Sequence, residues 1–334
     1  MFSNWKQRVS RTGVIAMAFG ASFGVTVSAY ADAKEMTVGV IYSIDRPQGK
    51  VWVKMQELVD AALPGKLKFN IVPDGALGGE KEEVEGVRLG SIQAGLSTLA
   101  NMTTWVPEAA LFDMPFMFRD QAHIDAVMAG SIGDEYKALF AKQGFKVFGF
   151  ITFGARHVIS KKPIRGPGDV KGKNMRVIQS PLHIELWRSL GANPTPIPIT
   201  EAYNALGSGV VDYMDMTMSG YRALKLNEVV PQFSKTSHIW AMGVMYMGMP
   251  FWKSLTPEQQ AALDGASVKA IDYFNELAAA EQESALADTV KRGTTVIEQD
   301  VTKWQAAMEP FWNSYADKVG GIEKVRAIAN TKSK

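Results

Sequence analysis

Two arginines carry the most specific chemistry in this chain. Arg176 ends the run Lys173-Asn174-Met175-Arg176, which follows a Pro-Gly-Asp-Val-Lys-Gly loop; Arg156 lies upstream in Phe-Gly-Ala-Arg-His-Val-Ile-Ser. A guanidinium grips a carboxylate with two parallel N–H donors, at fixed geometry and without titrating. Residues 174–178 are predicted to form a strand, and α/β folds place their ligand sites at strand ends. Arg176 is therefore expected to anchor a carboxylate pocket. The alternative is a structural arginine paired with a buried acid, and spacing alone leaves both open.

Other chemistries find no support. Gly20-Ala21-Ser22-Phe23-Gly24 has the letters of a serine-hydrolase elbow but falls in an apolar leader. There is no Gly-x-Gly-x-x-Gly and no Walker A loop. The four histidines, His123, His157, His183 and His238, lack His-Glu-x-x-His spacing, and the chain has no cysteine, so neither a metal nor another cofactor is expected. His157 adjoins Arg156 and points to the other face of an extended strand, which suits a structural role. Asn101-Met102-Thr103 fits a glycosylation sequon by chance.

The elements that must position these residues lie behind a targeting segment. Lys6, Arg8 and Arg11 form a basic region, residues 13–27 are small or apolar, and Ala29-Tyr30-Ala31 supplies a small-x-small pattern. Cleavage between Ala31 and Asp32 and export to the periplasm are expected. Removing those three basic residues takes the formal charge from +2 to −1, which argues against nucleic acid as a partner. Some 303 residues remain, enough for two domains.

Residues 36–42, 67–72 and 91–98 read as strands, separated by helices at 51–63 and 80–89. The alternation recurs with strands at 145–152, 194–199 and 210–214 and helices at 181–190 and 200–207, the last with Thr200 as its cap. Strand–helix alternation implies βαβ units and a largely parallel sheet. Thr256, Pro257 and Gln259 start a helix that runs to about Lys291, or two helices broken near Gly265 or Asp272. Uninterrupted, it spans roughly 50 Å and follows both domains.

Four segments, in order, resemble the periplasmic solute-binding subunits of tripartite ATP-independent periplasmic (TRAP) transporters. They are Pro73-Asp74-Gly75-Ala76-Leu77-Gly78-Gly79-Glu80; Val106-Pro107-Glu108 through Phe112-Asp113-Met114-Pro115-Phe116; Arg156 with Asp169-Val170-Lys171-Gly172-Lys173-Asn174-Met175-Arg176; and Gly191-Ala192-Asn193-Pro194-Thr195-Pro196 through Glu201-Ala202-Tyr203 to Gly209-Val210-Val211-Asp212. The resemblance implies a two-domain α/β binding protein with hinge-linked mixed sheets and a long helix along both domains. It also implies an organic-acid ligand, TRAP membrane subunits as partners, and a monomer. Arg176 matches the chief ligand arginine and Arg156 a second basic contact. Glu80 matches a polar residue over the far end of the substrate. Thr98 and Asn101 match the first domain's side of the cleft, and Gln179 lies just past the anchor.

One departure concerns Met216, which stands where the family has a carboxylate-binding asparagine and cannot donate a hydrogen bond. Tyr42, Phe153, Tyr213 and Trp240 either add aromatic surface to the cleft or pack in the cores. Glu80 and Asp215 would repel a second carboxylate, so a monocarboxylate with a hydroxylated or aromatic remainder is expected above a compact dicarboxylate. Domain one is expected at 32–153 plus 242–281, and domain two at 154–241 plus 282–334. Two rival readings are a periplasmic lyase or isomerase, with Glu80 or Asp215 as base and Arg176 as electrophile, and a sensory co-receptor.

Overall fold

The computed structural model describes residues 33–333, so the targeting segment and the Ala31/Asp32 junction lie outside the described residues. The chain opens with β1 (Lys34–Gly39), α1 (Pro47–Ala62), β2 (Leu67–Val72), α2 (Glu80–Leu89) and β3 (Ala94–Thr98). β1 pairs in parallel with both β2 and β3, so α1 and α2 are the crossovers of two βαβ units. Short α3 (Leu99–Met102), α4 (Gln121–Met128) and α5 (Ser131–Lys142) lead to β4 (Phe145–Ser160). The second half contains β5 (Asn174–Val177), α6 (Pro181–Ser189), β6 (Asn193–Pro196), α7 (Ala202–Ser208), β7 (Tyr213–Thr217), α8 (Met218–Ala223) and β8 (Gln232–Gly248). Then follow α9 (Met249–Lys253), α10 (Pro257–Lys291), β9 (Thr295–Glu298), α11 (Val301–Tyr315) and α12 (Ile322–Ala329).

The two expected sheets are joined by a shared antiparallel ribbon, giving the order β2-β1-β3-β8-β4-β7-β5-β6 with β9 added on β8. β8 passes between β3 and β4, with Ala94 of β3 opposite Met247. In β4, residues 145–152 pair with residues 242–248 of β8, and residues 156–160 pair with β7. The register shifts between Thr152 and Gly154. Gly154 there has φ +102°, a conformation that side chains rarely adopt, and a Cβ would lie 1.5 Å from Gln282 Nε2. Gln282 belongs to α10 and donates to the Phe153 carbonyl at 3.2 Å. The ribbon therefore changes halves at a glycine held by the long helix.

α10 is one unbroken helix. Its start carries the expected reciprocal cap, with Thr256 Oγ1 accepting from Gln259 N and Gln259 Oε1 accepting from Thr256 N. Leu263, Ala266, Ala270, Phe274 and Ala278 form a stripe in the core under α1 and β4, whereas Ala285 joins the core around Met214, Met216 and Tyr221. The helix thus follows both halves.

Several boundaries moved for local reasons. Pro47 at the first helical turn starts α1 earlier than residue 51. Thr200 does not cap: residues 199–201 form a 3₁₀ turn, and α7 begins at Ala202. The strand expected at 210–214 lies at Tyr213–Thr217, because Gly209 ends α7 in the left-handed region and Val211 N bonds back to Ala205 O. The C-terminal stretch also makes contacts with the first half. Arg119 donates to the carbonyls of Ala329 and Thr331, His123 Nε2 lies 2.9 Å from Ile328 O, and Lys324 pairs with Glu135.

Glu83 of α2 lies against the bare backbone of Gly39, with no hydrogen bond to either carboxyl oxygen among the described residues. Burial, then Glu80 and Glu82, raises its pKa to about 8 from 4.5. The folded protein therefore holds a proton that the unfolded chain releases, and stability falls as pH rises from about 4.5 to 8. Glu83→Gln is expected to leave the urea midpoint near pH 5 unchanged and to raise it near pH 8. Parallel pH profiles for variant and wild type would assign the proton elsewhere.

Candidate functional site

β5, β6 and β7 run parallel and bring their C-terminal ends to one edge, with Arg176 opposite Thr195 on one side and Met214 on the other. Arg176 is 3 % exposed. Its Nε donates to Ile197 O at 2.8 Å, which fixes the plane of the fork. Its terminal nitrogens pair with no acid among the described residues. Burial, and next to it the Arg156 guanidinium, pushes Arg176 down to about 10, so it stays cationic at neutral pH with its charge only partly offset by the more distant Asp215 and Glu80. A carboxylate placed on the fork would relieve that cost.

Arg156 is the arginine with a buried acid. Its Nε lies 2.6 Å from Asp215 Oδ2, and a terminal nitrogen donates to Asp215 O at 2.7 Å. Asp215 Oδ2 also lies 3.2 Å from His238 Nε2, and Thr236 Oγ1 lies 2.8 Å from His238 Nδ1. Burial alone would raise the Asp215 pKa, but Arg156 and the His238 hydrogen bond hold it well below the usual carboxylate range. Burial is the largest single influence on the Arg156 pKa and lowers it, but the charge and hydrogen bond of Asp215, with Asp113 behind them, together outweigh it and hold the pKa raised. This corrects the expectation of a cleft-facing Asp215. On β7, Asp215 lies beside Val158 of β4 and two residues from the Arg156–Thr217 pair, and it is fully buried. A carboxylate so engaged is unsuited to serve as a base.

Glu80, the first residue of α2, faces the opposite wall. Its Oε2 accepts from Ser97 Oγ at 2.7 Å, Thr98 N at 2.7 Å, Thr98 Oγ1 at 2.8 Å and Asn101 Nδ2 at 2.9 Å; Oε1 takes none of these donors. Thr98 also caps α3 by accepting from Asn101 N. Asn101 Oδ1 is buried without a partner among the described residues. Two acceptors thus remain on this wall, Glu80 Oε1 and Asn101 Oδ1.

The aromatic residues divide. Half-buried Tyr42 lies between the walls, where burial and then Glu80 push its phenol pKa up, keeping it neutral. Phe153 and Tyr213 are not cleft surface. The Phe153 ring occupies the space left by Gly243 and meets Phe274 edge-on, and the Tyr213 ring meets Trp187 edge-on in the core. Trp240 is half-buried at the edge of the core beside Ala155. Gln179 is half-buried before α6 and makes no side-chain hydrogen bond among the described residues. Met216 is buried among apolar residues, its ε-methyl against Gly220.

The walls touch across the cleft. A Cβ on Gly75 would lie 3.1 Å from Thr200 Cγ2. Beside Tyr42 opens a cavity of about 410 Å³, lined by Ser43, Asp45 and Asp74 from one half and Thr200 and Leu224 from the other. Three contributors were missed in the sequence. Ile197 acts through its carbonyl and has no side-chain signal, and Ser97 is hidden beside Thr98. His238 reaches Asp215 because β8 loops out between Ser234 and Ile239.

Residues 38–318 match the model of the bacterial extracellular solute-binding proteins, family 7 (DctP). A solute-binding protein of Verminephrobacter eiseniae is 30% identical over 327 residues, covering 96% of this chain and 97% of the relative. The fold is similar to a TRAP periplasmic solute-binding protein of Xanthobacter autotrophicus with bound β-D-galacturonate (30% identity, TM-score 0.84, 89% of this chain and 100% of the other). It is also similar to one of Sulfurospirillum deleyianum with bound succinate (28% identity, TM-score 0.85, 89% and 99%).

Proposed function

The chain belongs to family 7 of the bacterial extracellular solute-binding proteins, and from that premise we propose that it captures a hydroxylated monocarboxylate between its two domains and hands it, unchanged, to TRAP membrane subunits. The observation that carries this reading is Arg176, a buried guanidinium whose plane is fixed and whose terminal nitrogens meet no acid among the described residues. Closure excludes water and strengthens the contact between fork and carboxylate. Arg156 keeps one terminal nitrogen for the same ligand as a secondary contact.

The ligand class follows from charge and acceptors. Asp215 neutralises Arg156, which leaves Arg176 as the free cation and Glu80 as a negative charge opposite. A second carboxylate would meet Glu80, whereas hydroxyl groups would donate to Glu80 Oε1 and Asn101 Oδ1. Galacturonate and succinate, bound by two relatives, represent the two alternatives. With Phe153 and Tyr213 in cores, support for an aromatic remainder is reduced to Tyr42 and Trp240.

The division at 32–153 plus 242–281 and 154–241 plus 282–334 fits the crossover at Phe153–Gly154, with α12 as an exception tied to α4 and α5. Cleavage at Ala31/Asp32, a periplasmic monomer and the absence of turnover complete the proposal. Calorimetry on the mature protein should give succinate a dissociation constant at least tenfold above that of the best hydroxylated monocarboxylate, a gap of about 1.4 kcal/mol. Glu80→Gln should narrow the gap. Succinate binding tighter than every hydroxylated acid, or a ligand recovered chemically altered, would overturn the reading.

A further inference from the structure

At the edge of the cavity beside Tyr42, which Arg46 also lines, charged side chains from three parts of the fold converge on one oxygen. Arg46, which precedes α1, places a terminal nitrogen 2.7 Å from Glu281 Oε1. Arg222 of α8 places a terminal nitrogen 2.5 Å from the same oxygen. Glu281 is 9 % exposed and sits in α10 beside Gln282, the residue that grips the Phe153–Gly154 crossover. Arg222 Nε is buried with no partner among the described residues. Glu281 is therefore the anion on which Arg222 relies.

We propose that Arg46, Glu281 and Arg222 form a clasp that holds the closed arrangement of the two domains. This rests on the domain division proposed above. Arg46 belongs to the α1 side, whose helix packs on β2 and on the first part of α10. Arg222 belongs to the α8 side, which packs on the later part of α10 and on β7. Rotation about the crossover carries the two arginines apart, and one carboxylate cannot follow both. Opening therefore leaves one guanidinium, already partly withdrawn from water, without its counter-ion. The cavity beside the clasp, about 210 Å³, is also lined by Asp45, Lys50 and Ser284. Asp45 and Lys50 offset each other's charge, so the two arginines outnumber the single shared acid. Among the described residues no clasp side chain hydrogen-bonds or ion-pairs with a group assigned to the ligand, so its effect is read on the closed population of the ligand-free protein.

The chain has no cysteine, so Leu89→Cys and Val210→Cys, at residues 69 % and 60 % exposed on opposite halves, give one unambiguous spin-label pair. Distance distributions of the ligand-free protein at low salt are compared for wild type, Glu281→Gln and Arg46→Gln; the last has the more exposed partner and remains informative if Glu281→Gln does not fold. The ratio of short to long distances should fall roughly 3- to 10-fold in either variant. Molar salt should lower it in wild type and have little effect in the variants. Two populations in unchanged proportion would overturn the clasp alone. A single narrow distribution in every protein and at every salt concentration would overturn both the clasp and the domain motion beneath it.

Discussion

Replacing Arg176 with alanine should remove most ligand affinity, on the order of 2–5 kcal/mol, the cost of deleting one side of a desolvated charge pair. Arg176→Lys should also bind poorly, because an ammonium cannot reproduce a fork whose plane is set by the Ile197 carbonyl. The ligand-free variant supplies a second readout. Arg176 is a buried cation depressed to about 10, so its charge costs the empty protein stability. Arg176→Ala should therefore melt no lower than wild type while binding far more weakly. A structural arginine would give the opposite result, lost stability with retained affinity. Calorimetry and thermal melting on the same samples separate the two.

Asp215→Asn should produce the largest loss of stability, about 3–5 kcal/mol, because it strands Arg156 in a buried site without its anion. The dependence on pH has a definite sign. A carboxyl held well below its ordinary value contributes stability that is fully present above about pH 4 and is lost as pH falls through the folded-state value. Wild type should lose this contribution in acid, and the variant should lack that limb. Neutral His157, depressed to about 3 by burial, adds a loss as pH falls from about 6.5. Urea midpoints at pH 7 and at about pH 2 test this: equal losses for variant and wild type between those values would exclude Asp215 as the group. The freed Arg156 should also improve succinate binding relative to hydroxylated monocarboxylates.

Arg176 could be singled out because a carboxylate anchor asks for little more than residue type and a strand end, and the structure places it buried in β5. Asp215 and Tyr213 were misplaced for a geometric reason. The apolar run at 210–214 suggested a strand there, yet Gly209 and the Val211–Ala205 hydrogen bond hold residues 210–212 in the turn that follows α7. The strand starts three residues later, and its alternation then turns Asp215 and Tyr213 inward. Thr98, Asn101 and Glu80 are brought together by mutual hydrogen bonds that depend on α2 and α3 starting beside one another, which no local pattern encodes. β8 was not read at all. Its residues are buried on both faces for most of their length, so they show no period of two.

The place of β8 in the sheet also sets an order of assembly. β3 ends at residue 98, but its antiparallel neighbour is residues 243–247, and the helix that covers the first core begins at Pro257. As the chain is synthesised from its N-terminus, β3 has a bare edge and the first core lacks a wall until more than two-thirds of the polypeptide has been made. Contacts this distant in sequence form slowly, because loop closure precedes their reward. That delay keeps the nascent chain open: the first half cannot close on itself while the segment that completes its sheet is still unmade.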